Sequence, residues 1–344
     1  MQGLSFSRYT HTCVCSHERA LEPCRFCWRM AGVRSKLRVT VIRLLKTCLP
    51  KGMLVKTFLK IAALTTSLLT ATNAAFPDDI VRTFDAAKLD AILAAQPEKT
   101  KARYRYRHPK ETLEFFGVAP GMTVADTLPG AYYSRILLPY LGEKGALVGV
   151  SYSIGHRAID SGDDKKRMER VRNWPSMFVD HAEDWRGGSK AAVSAFLFED
   201  MPEAVKGTVD VFLVVRASHH LNKYEDNGNR RTKALADIYA ALKPGGILGV
   251  VQHRSPAGNR DEWARGFKGY IKQAPYIEAI KAAGFDFVAA SEINANPNDK
   301  PSESDAVWRL PPILSGSAEG TEKHAAMQAI GESDRMTLKF RKPE

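Results

Sequence analysis

The sequence predicts an α/β chain built on a largely parallel sheet, and three observations carry that prediction. Short continuous apolar runs such as Val209–Val215 and Ile247–Gln252 recur along the chain, which is how strands read when helices cover both of their faces. Longer stretches between them show helical spacing. Leu235, Ile238, Tyr239 and Leu242 form an i, i+3, i+4, i+7 stripe that ends before Pro244-Gly245-Gly246, where a helix has to stop. The alternation of these two patterns selects βα units over separate helical and all-β domains.

Taken in order, residues 78–95 place Ile80, Val81, Phe84, Leu89, Ile92 and Leu93 behind an Asp78 cap, which predicts an amphipathic helix packed on the main body. Pro109 opens a second helix whose Leu113 and Phe116 share a face, and Gly117 suits a left-handed cap. The predicted strands are Thr123–Asp126, Ala146–Ser151, Met177–Val179, Val209–Val215, Ile247–Gln252, Phe285–Glu292 and Met336–Arg341. A further helix, Tyr276–Ala283, ends at Gly284. Residues 292–334, rich in Asn, Pro, Ser, Asp and Gly, hold no strand pattern. They read as a long excursion before the last strand, and excursions of that length are usually functional or mobile.

The composition, 44% hydrophobic and 26% charged over 344 residues, excludes disordered, collagen-like and polytopic membrane chains. The formal charge of +12 is unevenly placed. Residues 1–52 hold ten Lys or Arg against Glu18 and Glu22, and residues 76–344 hold 38 basic against 36 acidic side chains. The body is therefore nearly neutral, and its basic pI is not the footprint of a nucleic-acid partner. Arg103-Tyr104-Arg105-Tyr106-Arg107-His108 interleaves bases with aromatics in a way that can stack on nucleobases. In a neutral body the segment reads instead as a lid over a ligand cleft or a linker between helices.

All five cysteines, Cys13, Cys15, Cys24, Cys27 and Cys48, fall in the first 52 residues, so residues 53–344 can form no disulfide among themselves. Their Cys-x-Cys-x₈-Cys-x₂-Cys spacing departs from the paired spacing of common zinc sites. Met53 is followed by Lys56 and Lys60, an apolar stretch from Ile61 through Leu69, and then Ala71, Thr72, Ala74 and Ala75. That order predicts a secretory signal cleaved near Ala74 or Ala75. The alternative is an uncleaved anchor, for which the stretch is short and polar against the roughly 20 apolar residues of a span. The expected organisation is an extension outside the working protein at 1–52, a signal peptide at 53–75, a helical segment at 76–110 and the main domain at 111–344. The expected location is the periplasm or the exterior, with no stable membrane span after cleavage.

The chemistry centres on Val124-Ala125-Asp126-Thr127-Leu128-Pro129-Gly130-Ala131-Tyr132-Tyr133, which runs from a predicted strand into a predicted helix. A small-residue turn there lets the backbone approach a ligand, and the helix start offers free N–H groups. Gly130 is the glycine of this turn, and a Cβ at that position is expected to strike backbone or ligand. His219-His220 follows one strand and His253 the next, so the sheet can bring them together. They can serve as general base or acceptor-orienting groups, as metal ligands, or as hydrogen-bonding structural histidines.

The order of these features resembles the class I S-adenosylmethionine-dependent methyltransferases, and more narrowly a group of bacterial exported methyltransferases. The resemblance rests on Arg107-His108-Pro109-Lys110-Glu111-Thr112-Leu113-Glu114-Phe115-Phe116, Leu128-Pro129-Gly130-Ala131-Tyr132-Tyr133-Ser134 and Val215-Arg216-Ala217-Ser218-His219-His220-Leu221. It also rests on His253-Arg254 and Val307-Trp308-Arg309-Leu310-Pro311-Pro312, and it covers about residues 103 to 343. It implies a Rossmann-like sheet of seven strands, the last antiparallel, with helices on both faces and S-adenosylmethionine over the carboxyl ends of strands 1, 2 and 4. By position, Asp126, Leu128, Gly130 and Tyr132 surround the methionine part, Asp180, His181 or Glu183 lies near the adenine, and Arg216 with His219 or His220 faces the methyl group or its acceptor. The class has Gly at the positions of Leu128 and Tyr132, and an acidic ribose acceptor where this chain offers Ser151. Two functions follow as expectations: methyl transfer to a small or envelope-located acceptor, or a non-catalytic binding protein that keeps the fold.

Overall fold

The computed structural model describes residues 82–162 and 164–344. The expected signal at 53–75, the cysteines, and Asp78 with Ile80 and Val81 lie outside the described residues. Helix α1 (Ala86–Ala94) starts behind Asp85, whose carboxylate accepts the Lys88 N–H at 2.9 Å, and it buries Leu89 and Leu93. Two short helices follow, α2 (Glu98–Lys101) and α3 (Tyr104–Arg107), and then α4 (Pro109–Phe116). As the sequence predicts, α4 has Pro109 in its first turn and closes on Gly117 at φ 77°, the left-handed conformation that glycine adopts without a Cβ clash.

The remaining order is β1 (Thr123–Thr127), α5 (Ala131–Leu141), β2 (Ala146–Ser151), α6 (Ile154–Ser161), α7 (Lys165–Trp185), β3 (Ala192–Leu197), β4 (Val209–Val215) and α8 (Ser218–Lys223). After these come α9 (Arg230–Ala241), β5 (Leu242–His253), α10 (Gln273–Ala282), β6 (Asp286–Ser291), α11 (Glu322–Ile330) and β7 (Arg335–Arg341). The strands make one sheet in the order β3-β2-β1-β4-β5-β7-β6. β7 runs antiparallel to β5 and β6, and the other neighbours pair in parallel. This is the class I methyltransferase-like, Rossmann-like sheet that the resemblance implies. The chain works outward from β1 to β3 and restarts at β4 beside β1, so the switch point of the sheet lies between β1 and β4.

Two cores form, one on each face. Along β4, Phe212 and Val214 join the core that holds Leu235, Ile238, Tyr276 and Ile280, whereas Val211 and Leu213 join the core that holds Leu89, Phe116, Ile136 and Phe178. Strand side chains alternate between faces, so a strand covered on both sides has to be apolar throughout, which is the run read in the sequence. Among the described helices none is long and apolar enough to cross a membrane.

The third strand is a correction. Met177-Phe178-Val179 lies inside the 21-residue helix α7, and β3 is Ala192–Leu197. Trp174, Phe178, Ala182 and Trp185 recur at three- and four-residue steps and face the sheet, so the period there is helical. The sheet is also shaped to receive that helix: a Cβ on Gly149 of β2 would lie 2.5 Å from the Phe178 ring. β5 is longer than expected and begins at Leu242. Pro244 lacks an N–H and Gly245 takes φ 72°, and the β4–β5 ladder is irregular over this stretch. The excursion at 292–334 holds a 3₁₀ turn at Val307–Arg309 and helix α11, and no strand.

Candidate functional site

The carboxyl ends of the strands concentrate backbone strain. Leu128 after β1 has φ 53°, Glu199 after β3 has φ 68° and Arg216 after β4 has φ 58°. A left-handed residue with a side chain costs roughly 1–2 kcal/mol, and such residues cluster where a site needs them. Neighbouring strands hold two of them: the Leu128 N–H donates to the Val150 carbonyl at 2.7 Å and the Arg216 N–H to the Val251 carbonyl at 2.6 Å. Leu128 thus follows a backbone path that suits the glycine of the class, with a side chain attached.

A cavity of about 250 Å³ opens at this edge, between the ends of β1, β4 and β5. Leu128, Arg216, His219, His220 and His253 line it from the sheet side. Val307, Trp308 and Leu310 from the excursion form the apolar wall, and Glu332 and Ser333 close it near β7. The long excursion therefore supplies half of the cavity.

His219 is 3% exposed, and its tautomer follows from its partners. The Gln252 side-chain N–H groups donate to the Gly269 carbonyl at 2.8 Å and the His253 carbonyl at 3.3 Å, so Gln252 Oε1 faces His219 Nδ1 at 3.2 Å. Oε1 can only accept, so Nδ1 carries the proton and Nε2 presents its lone pair. His219 Nε2 is buried without a hydrogen-bond partner among the described residues. Burial, with His220 beside it, holds the His219 pKa well below the usual imidazole value. Burial and the neighbouring His219 do the same for His253, whose Nδ1 lies 2.5 Å from Ser333 Oγ. Burial, with Lys223, lowers His220 to about 4. Burial thus favours the neutral form of all three at pH 7, and His219 is the one whose tautomer its partners fix, with Nδ1 protonated. Among the described residues no three His, Cys, Asp or Glu side chains are arranged to hold a metal ion.

Asp126 is the next-to-last residue of β1 and a buried carboxyl, 3% exposed. Burial pushes its pKa up to about 7 even though the Arg216 guanidinium pulls the other way. Arg216 belongs to a group of four arginines. Glu332 Oε1 accepts Arg103 Nη2 at 2.6 Å, Glu332 Oε2 accepts Arg107 Nε at 3.0 Å, and Arg335 Nη1 donates to Oε2 at 3.1 Å. No carboxylate among the described residues lies within ion-pair distance of Arg216. Burial, together with Arg107 and Arg335, lowers its pKa to about 9.

Other expected site residues sit differently. Gly130 is an exposed cap of α5 at φ −136°, and a Cβ there would meet nothing within 4 Å, so the expected backbone clash does not exist. The Tyr132 ring packs under the Arg107 guanidinium at 4.6 Å and edge-on to Tyr104, which makes it a wall between α3 and the turn. Arg103 and Arg107 of the Arg103–His108 run are accordingly spent on Glu332 and Tyr132, while Arg105 is exposed over Tyr106. Ser151 is buried, and the neighbouring Tyr152 reaches from β2 to β4, its OH donating to the Ala217 carbonyl at 2.9 Å. His156 stacks on that ring at 4.4 Å, so the β2 end is covered. Asp180, His181 and Glu183 are exposed on the second half of α7, which returns toward the amino ends of the strands. They precede β3 instead of following it, because the strand assigned before them is helix.

The residue that does follow β3 is Glu199. It accepts Ser153 Oγ at 2.7 Å and Arg230 Nη1 at 2.7 Å. The apolar run Ala195-Phe196-Leu197-Phe198 before Glu199-Asp200 was the available signal for it. Gln252 and Glu332 had no comparable signal, since their roles depend on residues distant in the chain.

No family model matches the chain, and no curated protein matches it in sequence. Among solved structures it is similar to a chain of the Haloferax volcanii complex between a methyltransferase activator and a methyltransferase, at 20% identity and a TM-score of 0.43, over 75% of this chain and 98% of that one. It is also similar to a SAM-dependent methyltransferase from Aquifex aeolicus, at 18% identity and a TM-score of 0.40, over 62% of this chain and 94% of the other. A third is geranyl diphosphate C-methyltransferase from Streptomyces coelicolor A3(2), solved with Mg2+, geranyl diphosphate and S-adenosyl-L-homocysteine, at 14% identity and a TM-score of 0.40, over 76% and 89% of the two chains. The fold assignment rests on the strand order and directions rather than on these likenesses.

The raised Asp126 pKa fixes a pH dependence. A carboxyl that is about 3.8 when unfolded and about 7 when folded costs stability as pH rises between those values, because the unfolded chain ionises first. The cost is complete above pH 7 and on the order of 4 kcal/mol. Asp126→Asn is therefore expected to raise the melting temperature at pH 8 and to leave it unchanged near pH 4. Thermal melts of both proteins across that range check it, and equal shifts at the two pH values contradict it.

Proposed function

We propose that the body is an S-adenosylmethionine-dependent methyltransferase whose acceptor enters the cavity at the ends of β4 and β5. The observation that carries this reading is a ligand-sized cavity at the switch point of the sheet, where open α/β folds bind their ligands, with the neutral base His219 in its wall. The buried carboxyl of Asp126 lies in β1 two residues before Leu128, which lines the cavity.

The residues fit the methionine half of the cofactor. Asp126 suits an ammonium group, the start of α5 suits a carboxylate, and Thr127 Oγ1 and Ser134 Oγ are buried polar atoms without partners among the described residues. The nucleoside half does not fit while Tyr152 bridges β2 and β4, so this ring has to turn aside. When bound, S-adenosylmethionine supplies an electrophilic methyl group on a cationic sulfur. His219 Nε2 takes the proton of the acceptor's nucleophile, and Gln252 holds the imidazole in the tautomer that allows it. Trp308 and Leu310 exclude water from the reacting side.

The covered β2 end favours a second reading, a binding protein of the cell envelope that keeps the fold without the transfer chemistry. We further place the body outside the cytoplasm, on the basic, apolar and small-residue order after Met53. N-terminal sequencing of envelope material is expected to begin near Ala75 or Phe76, and a mature chain retaining Cys13 contradicts export.

Calorimetry of the full chain with S-adenosylhomocysteine separates the two functions. Methyl transfer predicts binding, lost in Asp126→Ala, with release of a proton at pH 7 because the ligand's ammonium draws Asp126 into its ionised form. Binding by Tyr152→Ala alone, with none by the parent, selects the second reading.

A further inference from the structure

The Arg216 cavity is unlike a generic acceptor pocket in its charge. Arg103, Arg107, Arg216 and Arg335 stand together, and three of them already share Glu332. Arg107 Nη2 and Arg335 Nε are buried without partners among the described residues. A buried excess of positive charge is costly unless an anion offsets it, and Arg216 is the member of the group whose side chain has no ion-pair partner and lines the cavity. Its backbone is held left-handed at φ 58°, so strain is accepted to put this guanidinium there. A guanidinium is a planar fork that matches a carboxylate through two parallel hydrogen bonds.

The rest of the cavity defines the ligand's other end. His219 lines the cavity and its Nε2 is a buried lone pair with no donor among the described residues, so a ligand O–H or N–H brought against this wall would satisfy it. Between these polar points the wall is Val307, Trp308 and Leu310. A dry apolar cavity of about 150 Å³ is enough to hold benzene, and this one, at about 250 Å³, leaves room for two small substituents.

We propose that the cavity takes a small hydroxyaryl carboxylate, its carboxylate on Arg216 and its hydroxyl donating to His219 Nε2. This deepens the methyltransferase reading, on which it rests only in calling the ligand the acceptor, since binding needs no cofactor. The hydroxyl is then the group placed against the base, and the carboxylate fixes its position.

The test is calorimetry of the full chain with 3-hydroxybenzoate, 3-hydroxybenzamide, benzoate and phenyl phosphate, and separately with S-adenosylhomocysteine. The expected order places 3-hydroxybenzoate tightest. The amide should lose about ten- to a hundredfold, the factor for one charge-assisted contact, and benzoate should lose a smaller factor. Arg216→Gln should bring 3-hydroxybenzoate down to the level of the amide and leave the amide unchanged. The variant should melt no lower than the parent, because it removes a guanidinium that faces Arg107 and Arg335. If it fails to fold, Arg216→Lys, which keeps the charge and loses the fork, should weaken 3-hydroxybenzoate while sparing the amide. Equal binding of the acid and the amide, undiminished binding by the Arg216 variant, tighter binding of phenyl phosphate, or no binding of 3-hydroxybenzoate each overturns the proposal. S-adenosylhomocysteine binding without 3-hydroxybenzoate binding sinks the proposal alone. The reverse result sinks the methyltransferase reading and keeps the site.

Discussion

The Glu332 carboxylate is the contact on which the site depends. It is buried, and it binds Arg103 and Arg107, 229 and 225 residues earlier in the chain, together with Arg335 three residues later. One acidic side chain thus fastens the helices that precede the sheet to the segment that returns from the excursion into β7. Burial alone would raise its pKa, but Arg107, Arg335 and Arg103 hold it below the usual carboxylate value. The stability it contributes is present above the ordinary glutamate range and is lost as pH falls through that lowered value. Asn294 reinforces the same junction, donating to Thr112 Oγ1 and Thr337 Oγ1 at 3.0 Å each.

This arrangement shapes the chemistry as well as the fold. Three arginines consume one carboxylate, so the fourth, Arg216, is left to the cavity with a positive field behind it. The same burial, with the neighbouring positive charges, keeps the histidines neutral, so a lone pair is available on each imidazole at pH 7. Asp126 sits at the opposite extreme, an acid made reluctant to ionise by burial. The site therefore stores electrostatic cost in two places, and a ligand with an ammonium or a carboxylate at the matching positions relieves it. Left-handed Leu128, Glu199 and Arg216 at three strand ends store conformational cost at the same edge.

Much of this was legible in the sequence where local chemistry decided the outcome. Pro109 and Gly117 bracket a helix, continuous apolar runs mark the doubly covered strands, and Arg216, His219 and His253 had to fall at strand ends once β4 and β5 were recognised. The failures are equally specific. Met177-Phe178-Val179 is apolar enough for a strand, but Trp174, Phe178, Ala182 and Trp185 around it recur at helical steps, a local signal that the short apolar run overrode. The misplaced strand carried Asp180, His181 and Glu183 with it and concealed Glu199. Tyr132 was assigned to the ligand because it follows the turn, whereas Arg107 claims its ring. Side chains paired across more than 200 residues, as at Glu332, leave no local pattern to read.

Glu332 holds the Arg103–Arg107 segment to the start of β7 and so closes the cavity. Amide hydrogen exchange of Glu332→Gln against the parent tests it most directly. Removing one partner of a buried ion group typically costs about 3–5 kcal/mol. The loss is expected to appear as faster exchange in residues 103–116 and 294–334, with the amides of β1 and β4 keeping their protection. Exchange that is unchanged, or raised uniformly through the sheet, would contradict it.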